Sequence, residues 1–145
     1  MSQDPSQDVV LTAPYVLQYA YKRTLGPVLT QFFTGLRDAE IFGIKSEDGR
    51  VLMPPQEYDP KTGMELTELT PVKDSGVVQT WSWVEKPRSQ HPVDKPFAWA
   101  LIVLDGADTG FLHIVDVDSR EEMRTGMRVM VKWASERVGY ITDIA

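Results

Sequence analysis

Residues 97–116, FAWALIVLDGADTGFLHIVD, hold two apolar runs rich in β-branched and aromatic side chains, joined by a short Asp/Gly segment. That combination predicts a β-hairpin, because such side chains suit a pleated surface and Asp-Gly suits a tight turn. Glycine interrupts the runs too soon for a single helix. Residues 97–104 are apolar at nearly every position, which predicts a strand covered on both faces inside a small barrel or sandwich. The rest of the chain has to wrap it.

The other segments arrange themselves around that hairpin. In residues 77–84, Val77, Gln79, Trp81 and Trp83 alternate with Val78, Thr80, Ser82 and Val84, giving a strand with one aromatic side. Residues 85–96 carry Pro87, Pro92 and Pro96 and read as a loop. Residues 119–125 read as a helical turn capped by Ser119 and stopped by Gly126, and 129–133 and 138–143 as the last strands. About five strands from Val77 onward, with a short helical insert, is the inventory of a Greek-key barrel such as the OB-fold.

Upstream, 41–44 and 51–53 flank the Asp48-Gly49 turn, and a proline-stiffened loop over 54–63 ends in a second turn. Two knuckle-like turns predict a small ribbon with a thin core of its own. Residues 25–38 read as a helix, with Pro27 at its start and Val28, Leu29, Phe32, Phe33 and Leu36 on one face. Most of that stripe suits the core, and part of it suits another subunit. Tyr15, Leu17, Tyr19 and Tyr21 recur every second residue, so the rings either cover the core or form an arm for a partner. The expected organisation is mostly β: a tail, arm and helix over 1–40, a ribbon over 41–72 and a five-stranded barrel over 73–145.

A chain of 145 residues suits one domain, and without cysteine it has neither disulfides nor thiolate metal sites. A formal charge of −6 argues against tracking a phosphate backbone. The start of the chain has no basic or apolar leader region, and no apolar run approaches a membrane span. The expectation is a cytoplasmic protein that binds neither nucleic acid nor membrane. Basic residues gather at Lys22, Arg23 and Arg37, and at Arg120, Arg124, Arg128 and Lys132. The first group is where a phosphorylated ligand is expected.

Catalytic patterns are scarce. Neither a P-loop nor Gly-x-Gly-x-x-Gly is present. His91 lies in the proline-rich loop, and His113 in a strand, where Asp116 three residues on points to the opposite side. Asp105 and Asp108 flank a turn, and the expected role for them is bonding to their own backbone. Trp81, Trp83 and Trp99 lack the interleaved cations of a base-stacking platform, so core packing is expected.

This order of parts, with Thr24-Leu25-Gly26-Pro27, residues 49–55 (GRVLMPP), Tyr58-Asp59-Pro60, Asp105-Gly106-Ala107-Asp108 and Thr125-Gly126-Met127-Arg128-Val129, resembles the acyl-CoA-associated OB-fold family catalogued as domain of unknown function thirty-five. The family's fold is a helical segment, a rubredoxin-like zinc ribbon and an OB-fold. Where its ribbon presents Cys-x-x-Cys twice, this chain has Lys45, Asp48, Asp59 and Thr62. Those side chains cannot make zinc's soft tetrahedral site. The expectation is a ribbon without metal, with a Lys45 pair to Asp48 or Asp59 adding about 0.2–1 kcal/mol if exposed.

The resemblance implies a non-catalytic accessory subunit of a thiolase-like, lipid-transfer-protein-type enzyme, most closely a retro-aldolase that shortens a sterol side chain. Acyl-CoA is then the substrate of the complex, with no cofactor in this chain, and Lys22, Arg23 and Arg37 are the candidates for the CoA phosphate. The expected partner interface comprises Tyr15, Tyr19, Tyr21, Phe32, Phe33, Leu36, Pro54, Pro55 and Tyr58. A single-stranded nucleic-acid-binding OB module and a free-standing acyl-CoA-processing enzyme are the rivals. Charge speaks against the first, and the lack of an Asp/His pair against the second.

Overall fold

The computed structural model describes residues 11–144, so the tail expected over the first eight residues lies outside the described residues. Helix α1 (Gly26–Arg37) leads into β1 (Ile41–Lys45), β2 (Val51–Leu52), β3 (Leu69–Val72), β4 (Ser75–Val84), β5 (Phe97–Leu104), β6 (Phe111–Val115) and β7 (Arg128–Met130). Short 3₁₀ turns occupy Arg120–Glu122 and Ile141–Asp143. The strands form two antiparallel sheets, ordered β2-β1-β3 and β6-β5-β4-β7.

The helix starts where the sequence predicts, at Gly26-Pro27. Gly26 has φ 78°, a left-handed conformation that a side chain resists, and a Cβ there would come within 2.9 Å of Glu57 Oε1. Val28, Phe32 and Leu36 are buried, as the one-sided apolar stripe requires.

Strand β5 anchors the second sheet, with Ala98, Ala100, Ile102 and Leu104 buried along its inner face. Phe32 and Leu36 of α1, Ile41 and Met53 of the first sheet, and Val78, Phe111, Val115, Met123 and Ile144 complete one core with them. The parts expected over 41–72 and 73–145 therefore share their main core. A smaller cluster of Val28, Ile44, Leu52 and Leu66 serves the ribbon side.

Covering of β5 is one-sided, contrary to the expectation from its composition. Trp99, Leu101 and Val103 on its outer face are only half-buried. Helix and ribbon both contribute to the inner core, and on the outer side His91 of the 85–96 loop packs against Phe97 at 5.4 Å between ring centroids.

Strand β4 also departs from simple alternation. Val78 pairs with Ile102 and Thr80 with Leu101, so Gln79 is the extra residue of a β-bulge. The bulge brings Val78, Trp81 and Trp83 to the same inner side, where all three meet the core.

The last predicted strand, 138–143, is corrected. The Asp143 carboxylate, 2% exposed, accepts the backbone N–H groups of Val138 (3.1 Å), Gly139 (2.7 Å) and Tyr140 (3.1 Å) and winds the segment into a turn. An aspartate that bonds local backbone in this way competes directly with strand pairing. Only an isolated bridge between Trp133 and Ile144 remains. The second sheet consequently has four strands and does not close as a five-stranded barrel, and its two edge strands, β6 and β7, both line a groove of about 310 Å³.

The turn between β5 and β6 fastens the ribbon to this sheet. Asp108 donates its N–H to the Val51 carbonyl at 2.8 Å, and its carboxylate accepts the Val51 N–H at 2.8 Å. Thr109 Oγ1 accepts the Met53 N–H (2.7 Å) and donates to the Met53 carbonyl (3.0 Å). The turn thus continues the β2 edge much as another strand would.

Candidate functional site

Ahead of the helix, residues 11–25 form no regular structure and every one of them is exposed. Tyr15 is 84% exposed, Tyr19 77% and Tyr21 81%, so the rings do not cover the chain's own core. Leu11, Val16 and Leu17 are exposed beside them. Such a run of uncovered apolar and aromatic side chains is what an interface supplies, since tyrosine buries much area at small entropy cost.

The remaining interface residues divide. Phe32 (3%) and Leu36 (0%) lie in the core, which corrects their placement at a partner surface: the helix face that carries them closes the inner side of the β5 sheet. Phe33 is half-buried with its ring edge-on to Phe32, Pro55 is buried, and Pro54 and Tyr58 are exposed. Of the residues expected at the interface, those that face outward are therefore the arm tyrosines with Pro54 and Tyr58, and the half-buried outer face of β5 adds apolar area that composition alone assigned to the interior.

Lys22, Arg23 and Arg37 are not brought together. Lys22 and Arg23 precede the helix and Arg37 ends it, so the ~18 Å length of α1 lies between them along the chain. Arg37 is also engaged, its Nε donating to Asp38 at 3.0 Å. In the other basic group Arg128 grips Asp105, with Nη1 2.8 Å from Oδ1, and Lys132 lies 3.8 Å from Asp116.

The groups considered for catalysis are engaged in structure. Asp105 accepts from Arg128 and from Ser75 Oγ, which together hold its carboxyl down to about 2, while Asp108 secures Val51. His91 Nδ1 accepts the Arg88 N–H at 3.0 Å, and His113 Nδ1 lies 3.1 Å from the Ile114 carbonyl, beside the Phe111 ring. Neither imidazole is oriented by a carboxylate, so no acid–base pair forms. Trp81, Trp83 and Trp99 are half-buried, with Trp83 donating to Glu85 at 2.7 Å and Trp99 packed on Phe97.

In the ribbon the expected ion pair is replaced. Lys45 points outward to Glu68 at 3.8 Å, and Asp48 pairs instead with Lys61 (2.8 Å) and Arg50 (2.9 Å). The buried residue of the first knuckle is Ser46, one place further on, whose hydroxyl donates to Asp48. Lys45 is exposed although it shares strand parity with the buried Ile41 and Gly43, so β1 breaks its alternation there, which the Cys-x-x-Cys spacing could not show. Among the described residues no group of His, Cys, Asp and Glu is placed to hold a metal ion.

Comparison with known proteins places this fold. Residues 69–134 match the family model described as the ChsH2 C-terminal OB-fold domain. The resemblance read from the sequence is thereby borne out: these residues are an OB-fold of that kind. A DUF35 domain-containing scaffold protein of Pyrococcus furiosus is 32% identical over 89 residues, 61% of this chain, and the chain spans 65% of that relative's length. Among solved structures, a DUF35-family protein of unknown function from Sulfolobus solfataricus matches with a TM-score of 0.59 and 23% identity, over 73% of this chain and 78% of that one. The Ltp2-ChsH2(DUF35) aldolase matches with a TM-score of 0.61 and 14% identity, over 86% and 94%. At these identities the two structures establish likeness of fold.

Proposed function

We propose that this chain is a non-catalytic accessory subunit of a hetero-oligomeric aldolase complex. Its partner is a thiolase-like, lipid-transfer-protein-type enzyme that acts on an acyl-CoA, most closely a retro-aldolase of sterol side-chain degradation. The carbon–carbon bond is cleaved on the partner, and this chain steadies the partner and helps form its acyl-CoA channel. It brings no cofactor. Lys22 and Arg23, exposed beside the arm, are the cations available to the CoA phosphates.

The observation that carries this reading is the exposed arm, in a molecule whose histidines and turn aspartates are all tied into structure. A protein so equipped contributes surface rather than turnover. The names agree with this reading: the 32% identical relative is called a scaffold protein, and a structure of like fold is called the Ltp2-ChsH2(DUF35) aldolase.

Co-expression with a thiolase-like enzyme of the same organism tests it. The two chains are expected to co-elute on size exclusion, and the enzyme to need this chain for full activity. An enzyme that is stable and fully active alone, and never co-elutes, overturns the proposal.

A further inference from the structure

Ribbons of the kind this chain resembles join their two knuckles through a metal, and the donors here do not fit one. Lys45 and Thr62 point to solvent, and Asp48 is engaged by Lys61, Arg50 and Ser46. Asp59 remains. Although it is a carboxylate it is only 3% exposed, and burial of an unpaired charge would be costly.

Its oxygens are satisfied by backbone from both knuckles. Oδ1 accepts the N–H groups of Lys61 (2.8 Å) and Thr62 (3.2 Å), within its own knuckle. Oδ2 accepts the N–H of Glu47 (3.1 Å), in the other knuckle, twelve residues away. Backbone bonds then close each loop: Gly63 N–H to the Asp59 carbonyl at 2.8 Å, and Gly49 N–H to the Ser46 carbonyl at 3.0 Å. The Asp48–Lys61 pair adds a second tie at the surface. Among the described residues no buried side-chain nitrogen or oxygen lacks a partner, so no orphaned group calls for an ion.

The geometry points to Asp59 as the crosslink that stands in for the metal: one buried carboxylate, bound by backbone N–H groups of both knuckles, fastens them together. The ribbon then folds without metal, and so does its β2 edge, which receives the β5–β6 turn through Asp108 and Thr109. Hydrogen bonds to a charged acceptor are the stronger kind, which suits one side chain to this task.

The test compares the whole chain with its Asp59→Asn and Lys61→Met variants. An amide in place of the carboxylate sets an NH₂ donor against backbone N–H, whereas loss of the Lys61 ammonium removes only the exposed pair. Asp59→Asn is expected to melt several degrees lower, with faster hydrogen exchange at the amides of Glu47, Lys61 and Thr62 while those of β5 stay protected. Lys61→Met is expected to melt within about a degree of the parent, as an exposed ion pair contributes little. The parent protein, incubated with excess Zn²⁺ and desalted, is expected to retain no stoichiometric zinc, and its melting temperature to be unmoved by EDTA. One zinc retained per chain, a drop in melting temperature with EDTA, or an Asp59→Asn variant that melts with the parent overturns the inference. A loss in Lys61→Met as large as in Asp59→Asn also overturns it, because the surface pair would then be the tie. Should Asp59→Asn not fold, the zinc and EDTA arms decide, together with the parent's own exchange at Glu47, Lys61 and Thr62, where fast exchange overturns it.

Discussion

Buried or gripped carboxylates recur at the points where this fold is pinned. Asp59 joins the knuckles, Asp143 winds the C-terminal turn, and Asp105 ties Arg128 of β7 to Ser75 of β4. Arg128 and then Ser75 depress the Asp105 pKa to about 2. For Asp143 burial works in the opposite direction, and the N–H groups of Val138, Gly139 and Tyr140 outweigh it, so that pKa is lowered as well. A carboxyl whose folded pKa lies below its unfolded value, about 3.9, leaves the unfolded state binding more protons in the interval, so stability rises with pH there. The contribution is complete above pH ~4 and lost as pH falls through the folded values. Urea unfolding midpoints are expected to fall as the pH is lowered from about 4 toward 2, and Asp105→Asn to flatten part of that slope. Gly76 is a second constraint at this scale. A Cβ there would sit 2.3 Å from the Val103 carbonyl oxygen and 2.8 Å from Leu104 Cα, both of them backbone atoms that cannot swing away. Gly76→Ala is expected to cost about 3 kcal/mol in chemical denaturation, toward the upper end for overpacking.

The helix and the docked turn hold the two sheets in one unit. Leu36 has no exposed surface and sits between α1 and the core, so Leu36→Ala is expected to cost about 2–5 kcal/mol by the same measurement. Thr109 makes both of its bonds to Met53, at 2.7 and 3.0 Å, across the junction of ribbon and OB-fold sheet. Thr109→Val keeps the shape and leaves those backbone groups unpaired, with an expected loss of about 1–3 kcal/mol. Hydrogen exchange is the sharper readout, because protection should fall at Val51 and Met53 before it falls in β5. Periodicity revealed the helix, and turn-forming residues revealed the knuckles. The docking of residues 105–110 on β2 was hidden, because it depends on partners more than fifty positions apart.

On the scale of the whole molecule, the folded part and the arm are separable. Residues 11–24 are exposed throughout, so their removal is expected to leave the melting temperature within about a degree of the full chain. The same truncation should abolish co-elution with the thiolase-like partner, and a triple Tyr15, Tyr19 and Tyr21 change to Ser should weaken it without altering stability. Retention of the partner by the truncated chain would move the interface to the outer face of β5, where Trp99, Leu101 and Val103 are half-buried.

Local pattern was enough to read the helix from Gly26-Pro27, the strands β1, β2 and β4 to β6, the knuckle turns and the scarcity of catalytic groupings, because each depends on residues a few positions apart. Tertiary contact alone settled that Phe32 and Leu36 face inward, that the bulge at Gln79 turns Val78 and the two tryptophans to one side, and that Asp143 withholds residues 138–143 from the sheet. The same holds for Ser46 lining the first knuckle while Lys45 faces solvent. At the bulge, the C-terminal turn and the first knuckle a hydrogen bond or a packing contact outweighed the local period. Amino-acid order carries no direct mark of which side chain will find a partner far along the chain.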